Sequence, residues 1–219
     1  MAPAAVKKHT ILFLAANPSD TNQLALDREA RAILRELEQS GYRDRFQLET
    51  RWAAEPLDLL RELRKLKPTV VHYSGHGGTQ GLFFQGSDGT ARVVSTEALK
   101  QTFGAAGASV RVVVLNACYG DAHADALLAH IDCVVGTPGP LGDDAARSFA
   151  VGFYGGLGEQ EPVATAYRQG CAAISLEAGG HAGVSRDVVP EPAPDTRRPQ
   201  LRVRRGVDAE RLVLTADPR

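Results

Sequence analysis

Short apolar runs alternate with amphipathic segments along most of this chain. The first run, residues 11–16, is apolar at every position and stops at Asn17-Pro18, as in a strand that is buried on both faces and ends in a turn. In residues 24–37, apolar side chains recur at helical spacing with charges between them, and Gly41 lies just beyond. The opening segment is therefore predicted to form a strand followed by a helix.

The same order of strand and helix is predicted as far as residue 176. Clean alternation in residues 46–52 is typical of a strand near the edge of a sheet. Further strands are predicted at 70–73, 110–115 and 133–137, and helices from residues 55 and 95 and over 121–130, 143–155 and 162–176. A repeated βα order requires right-handed crossovers, so the predicted class is α/β, with a mainly parallel central sheet flanked by helices.

A β-hairpin is predicted between the strand at 70–73 and the strand at 110–115. Residues 82–84 and 92–94 have strand-forming side chains, and they flank the turn-forming sequence Gly86-Ser87-Asp88-Gly89. The hairpin is expected to stand off the main sheet.

The composition changes after Leu176. Glycines and then prolines become frequent, and such a stretch cannot hold a helix or a central strand. The predicted organisation is an N-terminal extension over 1–9, one domain over 10–178 and a Gly/Pro/Arg-rich tail over 179–219, with candidate short edge strands at 201–204 and 211–214.

Composition and charge restrict the class of function. The 219 residues carry a formal net charge of -1, which provides no field to attract nucleic acid, and a mean hydropathy of -0.19, which is ordinary for a soluble chain. The N-terminal residues lack a signal-peptide cleavage pattern. Three cysteines at unrelated spacings argue against a disulfide framework. We therefore expect a cytoplasmic protein that binds neither nucleic acid nor membranes.

Two predicted strands end in a reactive side chain that lies close to glycines. His76 follows the strand at 70–73, and Cys118 follows the strand at 110–115, 42 residues further on. Functional groups of open α/β sheets collect at the carboxyl ends of strands. If these two strands are neighbours, their ends lie about 5 Å apart. An imidazole and a thiol could then converge on one carbonyl group.

The sequences around these residues resemble a known family. Asn116-Ala117-Cys118-Tyr119-Gly120 is similar to the caspase signature, in which a histidine lies upstream at comparable distance. With the histidine motif, the chain resembles the CHAT-type branch of the caspase-like cysteine peptidases. The matching features are Asn17-Pro18, 72–77, 116–118, 144–149, Phe153-Tyr154 and 164–166. The resemblance implies a three-layer caspase-like fold and peptide-bond hydrolysis by a His–Cys dyad.

The resemblance also implies a role for each residue of the dyad. Cys118 would be the nucleophile, with its pKa lowered by the start of the helix near Asp121. His76 would protonate the leaving amine. The N–H of Gly77, together with that of Cys118, would form the oxyanion hole. No cofactor is expected, and no metal, because His72, His76 and Cys118 lack the clustered spacing of a metal site.

Family resemblance places the substrate pocket in loops after the first, fourth and fifth strands. The matching positions are Asp20, Asn116, Asp143 and Asp144. Carboxylates in this pocket would favour Arg or Lys before the cleaved bond. Asn116 is neutral where several basic-specific relatives have an acid, so a medium-sized apolar residue stays open as the alternative.

Partners are implied by the resemblance alone. Small CHAT-like proteins act beside effectors or sensors in bacterial defence and regulated cell death, so the expected substrate is a protein, for example a pore-forming protein or another effector, with a sensor protein as a candidate regulator. The arginine-rich tail from Ser185 onward is also a candidate for self-cleavage.

Two other functions compete with the peptidase. Cys118, Asp143 or Asp144, and His181 follow the nucleophile–acid–base order of an α/β-hydrolase-like esterase. A non-catalytic interaction module with the same fold is the second alternative. The remaining candidates are given structural roles: His72 as a hydrogen-bonded core residue, Cys133 and Cys171 as packing residues, and His123 and Asp125 as surface residues.

Overall fold

Strands and helices alternate in the order that the sequence predicts. The computed structural model describes residues 8–118, 121–139, 141–180 and 198–215, with the backbone alone for 121–123 and 178–180. The strands are β1 (His9–Ala15), β2 (Phe46–Arg51), β3 (Val70–Ser74), β4 (Gly77–Gly78), β5 (Gly81–Gln85), β6 (Ala91–Ser95), β7 (Val112–Cys118), β8 (Cys133–Thr137) and β9 (Gln200–Val203). The helices are α1 (Leu26–Gln39), α2 (Pro56–Leu66), α3 (Thr96–Ala106), α4 (Asp121–Leu127), α5 (Asp143–Gly158) and α6 (Val163–Gly180).

Six strands form the central sheet in the order β2-β1-β3-β7-β8-β9. Neighbouring strands are parallel except for β9, which pairs antiparallel with β8. The strand that precedes His76 and the strand that carries Cys118 are neighbours, because β3 pairs with β7 and Ser74 lies opposite Asn116. The prediction that these two strands adjoin is therefore confirmed, as is the edge position of β2.

Helices cover both faces of the sheet and make three layers. One face packs against apolar side chains of α1, α5 and α6, and the other against those of α2, α3 and α4. Successive residues of β1 point to opposite faces, so Ile11 and Phe13 enter the first core while Leu12 and Leu14 enter the second. This two-sided burial explains why the strand is apolar at every position, and the α/β prediction is confirmed.

The predicted hairpin is present beside the main sheet. β5 and β6 pair antiparallel with Leu82 opposite Val94, and they form a separate three-stranded sheet with β4. Because β4 consists only of Gly77 and Gly78, it has no side-chain pattern from which it could have been predicted. It places the residue after His76 in the hairpin sheet.

The C-terminal segment packs onto the domain. β9 confirms the edge strand predicted near residue 201, but the strand predicted at 211–214 is wrong, since this stretch forms turns. Its apolar residues Leu212 and Leu214 enter the core shared with α5 and α6, and the backbone N–H of Val163 donates to the carbonyl of Leu212. Burial of alternate residues thus arises here without a strand.

Candidate active site

His76 and Cys118 line the same cavity at the carboxyl ends of β3 and β7. The cavity holds about 130 Å³ and opens to solvent. Both side chains are partly exposed, so they are accessible to a ligand. The remaining walls come mainly from the chain around the start of α1 and from the segment before α5. The site is therefore where the topology of a parallel sheet predicts it.

Two glycines allow the histidine segment to approach its neighbours closely. A Cβ on Gly77 would lie 2.7 Å from the carbonyl oxygen of Cys118, and one on Gly75 would lie 2.6 Å from that of Ala16. The N–H of Gly75 also donates to the carbonyl of Asn116 at 3.2 Å. The histidine and cysteine segments are therefore in direct backbone contact.

The imidazole of His76 is oriented by a backbone carbonyl group. Its Nε2 lies 2.7 Å from the carbonyl oxygen of Asn22. A carbonyl oxygen can only accept a hydrogen bond, so Nε2 carries the hydrogen. In the neutral ring this leaves Nδ1 as the unprotonated nitrogen, and Nδ1 is the atom able to take up a proton.

Asn22 belongs to a loop that the side chain of Asn17 closes. The amide of Asn17 donates to the carbonyl of Leu24 at 3.0 Å and accepts from the N–H of Leu24 at 3.1 Å. At its outer end the loop contacts the β5–β6 turn, where the N–H of Ser19 donates to the carbonyl of Gly89 at 2.9 Å. The Asn17-Pro18 sequence therefore has a structural role that places the carbonyl of Asn22.

Burial raises the pKa of the Cys118 thiol above its ordinary value. The prediction that the following helix lowers this pKa is wrong. The seven residues of α4 begin three positions beyond the cysteine, and desolvation favours the neutral thiol. At neutral pH the thiol is therefore protonated, and it would have to lose its proton to act as a nucleophile.

A buried carboxylate, that of Glu29 on α1, lies beside the cavity. It accepts hydrogen bonds from the hydroxyl of Ser74 and from the side-chain amide of Asn116, the latter at 2.9 and 3.0 Å. Burial acts to raise the pKa of Glu29, but its electrostatic interaction with His72 and the hydrogen bonds from Ser74 and Asn116 outweigh burial, so the pKa is lowered. The ionised form is thus stabilised in a site closed to solvent.

His72 is a buried partner of this carboxylate. Its Nε2 lies 3.1 Å from Oε1 of Glu29, and its Nδ1 shares a 2.9 Å hydrogen bond with the hydroxyl of Tyr154. The ring stacks on Phe13 with 4.9 Å between centroids. The prediction that His72 is a hydrogen-bonded core residue is confirmed.

Sequence reasoning missed the importance of Glu29. The residue lies among Asp27, Arg28 and Arg31, a pattern typical of the solvent-facing side of a helix. Yet its position beside the apolar residues Leu26, Ala30, Ile33 and Leu37 places it on the face turned toward the sheet. The position of Glu29 on the apolar side of the helix was the sequence signal that could have identified its burial.

The structure brings two of the four predicted pocket residues to the cavity. Asn116 and Asp143 line it, and the carboxylate of Asp143 accepts from the N–H of Ala25 at 2.9 Å. Asp20 and Asp144 do not line it. The carboxylate of Asp20 instead accepts from the N–H of Ala91, and Asp144 forms an exposed ion pair with Arg147 at 2.8 Å.

The other candidate residues lie away from the cavity. Cys133 is buried in β8 and Cys171 is partly buried against the same core, which confirms their packing roles. Asp125 is mostly exposed and lies 4.0 Å from Arg202. The side chain of His123 and the whole of His181 are outside the described residues.

Among the described residues, no group of three or more His, Cys, Asp or Glu side chains is arranged to hold a metal ion. None of their helices has the length and apolar character needed to cross a membrane.

Sequence comparison relates the chain to proteins named as proteases. A Roc-COR-CHAT protease from an unknown prokaryotic organism is 28% identical over 179 residues, which cover 75% of this chain and 16% of that protein. A probable protease from Gillisia limnaea is 25% identical over 147 residues, which cover 66% of this chain and 26% of that protein. The chain thus spans about a quarter or less of the length of these relatives.

Comparison with solved structures shows the fold. Caspase-1 from Spodoptera frugiperda superposes with a TM-score of 0.56 over 90% of this chain and 88% of its own, at 12% identity. An inactive zymogen C11 protease from Parabacteroides distasonis gives a TM-score of 0.51 over 81% and 66%, at 14% identity. The three-layer architecture is therefore caspase-like.

A family model described as "CHAT domain" matches residues 2–177 of this sequence. That range includes both motifs, both strands of the site and the loop that holds His76. The chain therefore belongs to the CHAT domain family.

Proposed function

We propose that this chain carries a cysteine endopeptidase site in which Cys118 and His76 form the catalytic dyad. The observation that carries the proposal is their shared cavity at the ends of the adjacent strands β3 and β7. Two sequence relatives named as proteases support the reaction class. A thiol and an imidazole at one cavity are the two groups that acyl transfer through a thioester requires.

The protonated thiol and the orientation of His76 define the order of proton transfers. Nδ1 of His76 accepts the thiol proton as the sulfur of Cys118 attacks the carbonyl carbon of the scissile amide. The resulting tetrahedral oxyanion collapses when the same nitrogen protonates the amide nitrogen. The C–N bond then breaks, and an amine leaves while the acyl group stays on sulfur. Water attacks this thioester to release the acid and restore the thiol.

Gly77 and Cys118 supply the proposed oxyanion donors through their backbone N–H groups. The close contact between Gly77 and the backbone of Cys118 supports this assignment, since it holds the two backbone segments side by side. Backbone donors fixed before the reaction stabilise the developing negative charge without reorganisation. Glycine at position 77 is what permits the approach.

A basic residue before the cleaved bond fits the cavity better than an apolar residue. Asp143 supplies a carboxylate at the exposed side and Leu24, Leu26 and Leu141 contribute apolar surface, while the carboxylate of Glu29 is already engaged by Ser74 and Asn116. None of the described residues that line the cavity is a lysine or arginine. A long aliphatic side chain with a positive end matches this combination. The predicted contribution of Asn116 is indirect, because its amide donates to Glu29.

The proposed substrate is a specific protein, in a prokaryotic defence or cell-death system. Support comes from the Roc-COR-CHAT protease, whose length greatly exceeds the matched segment, so that domains outside the match could supply sensing. The candidate substrate is a pore-forming protein or another effector, and the candidate regulator is a sensor protein. Cleavage of the chain's own tail is a second possible outcome of the same chemistry.

A positional-scanning peptide library tests the function directly. The wild-type chain is incubated with the library beside Cys118→Ala and His76→Ala, and products are identified by mass spectrometry. Cleavage after Lys or Arg that both substitutions abolish supports the proposal. Cleavage that needs Cys118 but not His76 would instead support the esterase-like arrangement. No cleavage, with no labelling of Cys118 by a thiol-directed peptide inhibitor, would support the interaction module.

A further inference from the structure

We propose that Glu29 is a positioning residue that fixes the histidine strand against the cysteine strand. The inference rests on the dyad proposed above, but it concerns a side chain that contacts neither His76 nor Cys118 in the described hydrogen bonds. Glu29 is 5% exposed, and its carboxylate meets side chains from two strands of the sheet. Its effect on the reaction would be transmitted through those two strands.

The two hydrogen-bond donors to Glu29 occupy equivalent places in the two motifs. Ser74 lies two residues before His76, and Asn116 lies two residues before Cys118. They face each other in the register of β3 and β7. One carboxylate therefore accepts from the last pair of opposed residues before the reactive side chains. A shift of either strand end would break one of these bonds.

Just beyond this point the two chain segments pair in different sheets, although Gly77 and the backbone of Cys118 stay in close contact. The N–H of Gly75 donates to the carbonyl of Asn116, and the segment then passes into β4 of the hairpin sheet. β7 instead continues along β8, with a shift of register between Leu115 and Cys118. His76 thus lies between β3 and β4, and Cys118 ends β7, each two residues after a residue that Glu29 joins.

Glu29 also connects the strand ends to the loop that orients His76. The carboxylate belongs to the first turns of α1, and the loop containing Asn22 leads directly into that helix. The carbonyl of Asn22 accepts from the imidazole of His76. The buried side chain of Glu29 therefore connects three parts of the site. These are β3, β7 and the loop whose Asn22 carbonyl accepts from His76.

The chemistry of the cluster favours a geometric role over simple stabilisation. Burying an ionised carboxylate is costly, and buried ion pairs are often no more stabilising than apolar side chains of the same size. Glu29 is satisfied by His72, Ser74 and Asn116, whereas a leucine would demand none of these partners. What the carboxylate adds is a fixed direction for two hydrogen-bond donors, one on each of two strands.

Glu29→Gln tests the inference, with Glu62→Gln as a matched control. Glu62 is 6% exposed on α2 and pairs with Arg51 at 2.7 Å, away from the cavity. Each substitution removes one buried charge and keeps the side-chain size. We expect kcat of Glu29→Gln to fall about tenfold to a hundredfold with KM nearly unchanged, because small misplacement of reacting groups is costly. Glu62→Gln should keep the wild-type kcat.

The outcomes that would contradict the inference are values of kcat measured on folded protein. A melting temperature above the assay temperature verifies that each variant is folded. Wild-type kcat in Glu29→Gln would overturn the inference, and so would equal losses in Glu29→Gln and Glu62→Gln. If Glu29→Gln does not fold, Ser74→Ala removes one donor and leaves the carboxylate paired with Asn116. An unchanged kcat in that variant would then overturn it.

The rate of Cys118 alkylation separates this inference from the proposed peptidase function. Iodoacetamide labelling, read by peptide mapping to exclude Cys133 and Cys171, needs no peptide substrate. His76→Ala and Glu29→Gln are both expected to slow labelling of Cys118, since each removes or displaces the base. If the wild-type chain cleaves no peptide but both variants still slow the labelling of Cys118, only the proposed peptidase function is contradicted. Slow labelling in His76→Ala with wild-type labelling in Glu29→Gln would contradict only the positioning role.

Discussion

The imidazole Nε2 of His76 lies 2.7 Å from the carbonyl oxygen of Asn22, in a loop that the side chain of Asn17 holds closed. The amide of Asn17 reproduces a backbone pair by donating to and accepting from Leu24. Loss of that pair frees the loop to move and leaves Nε2 without a fixed acceptor. The orientation of His76 Nδ1 therefore depends on Asn17, which lies five positions before the acceptor residue Asn22.

We therefore expect Asn17→Ala to lower kcat about tenfold or more, because the proposed base, His76, loses its fixed orientation. Steady-state kinetics on a cleaved peptide measures the effect. Gln23→Ala is the control in the same loop, since the Gln23 amide makes only a 3.3 Å contact with the carbonyl of Pro18. Equal activity of Asn17→Ala and Gln23→Ala would show that loop closure does not matter.

Gly77 and Gly78 form a matched pair for testing the contact between the two motifs. A Cβ at position 77 would lie 2.7 Å from a backbone oxygen of Cys118, whereas at position 78 the nearest atom is the Phe83 ring at 3.7 Å. Gly77→Ala should destabilise the fold by about 1–3 kcal/mol and abolish measurable cleavage. Gly78→Ala should be near wild type in denaturant unfolding and in activity. Tolerance of alanine at both positions would contradict the close approach.

Burial of the Cys118 thiol predicts how its reactivity depends on pH. Because the pKa of the Cys118 thiol is raised, the thiolate fraction stays small near neutral pH. It grows as the pH rises past the ordinary pKa of a cysteine thiol, about 8.5. The rate of Cys118 alkylation should therefore keep rising on the alkaline side. A plateau already reached near pH 6 would indicate a preformed thiolate and would contradict this account.

Asp143 should determine the preference for basic residues. Asp143→Asn keeps an oxygen that can accept from the N–H of Ala25 but removes the negative charge beside the cavity. We expect kcat/KM for peptides with Lys or Arg before the cleaved bond to fall about fivefold, the effect of one exposed charge pair at its upper range of about 1 kcal/mol. Peptides with an apolar residue there should be unaffected.

Asp144→Asn is the control for this substitution, since Asp144 pairs with Arg147 outside the cavity. Its peptide preference should match that of the wild type. A library profile that is the same in Asp143→Asn and in the wild type would remove Asp143 from the pocket. A wild-type profile dominated by apolar residues would contradict the basic preference itself.

The strands and most helices were predictable because their periodicity directly reflects burial. Residues 11–16 are apolar throughout because β1 is covered on both faces, and the order of strands along the chain made β3 and β7 natural neighbours. The placement of His76 and Cys118 at one cavity followed from that adjacency. These features depend on local pattern and on chain order alone.

Features that depend on distant partners were not predictable in the same way. Glu29 has the sequence context of a surface charge, and its burial depends on Ser74 and Asn116, 45 and 87 residues away. Asp20 was assigned to the pocket by family position, but its carboxylate instead accepts a hydrogen bond from the end of the hairpin turn. The nearby helix predicts a lowered pKa for the Cys118 thiol, whereas desolvation raises that pKa.

The proposal that Cys118 and His76 together cleave a peptide bond is tested by the initial rate of cleavage of one peptide chosen from the library. Wild type, Cys118→Ala, His76→Ala and the double variant are compared at equal concentrations of folded protein. We expect losses of about a thousandfold or more in each single variant, with little further loss in the double variant, because the two residues act as a unit. Cleavage at the wild-type rate in either single variant would contradict it.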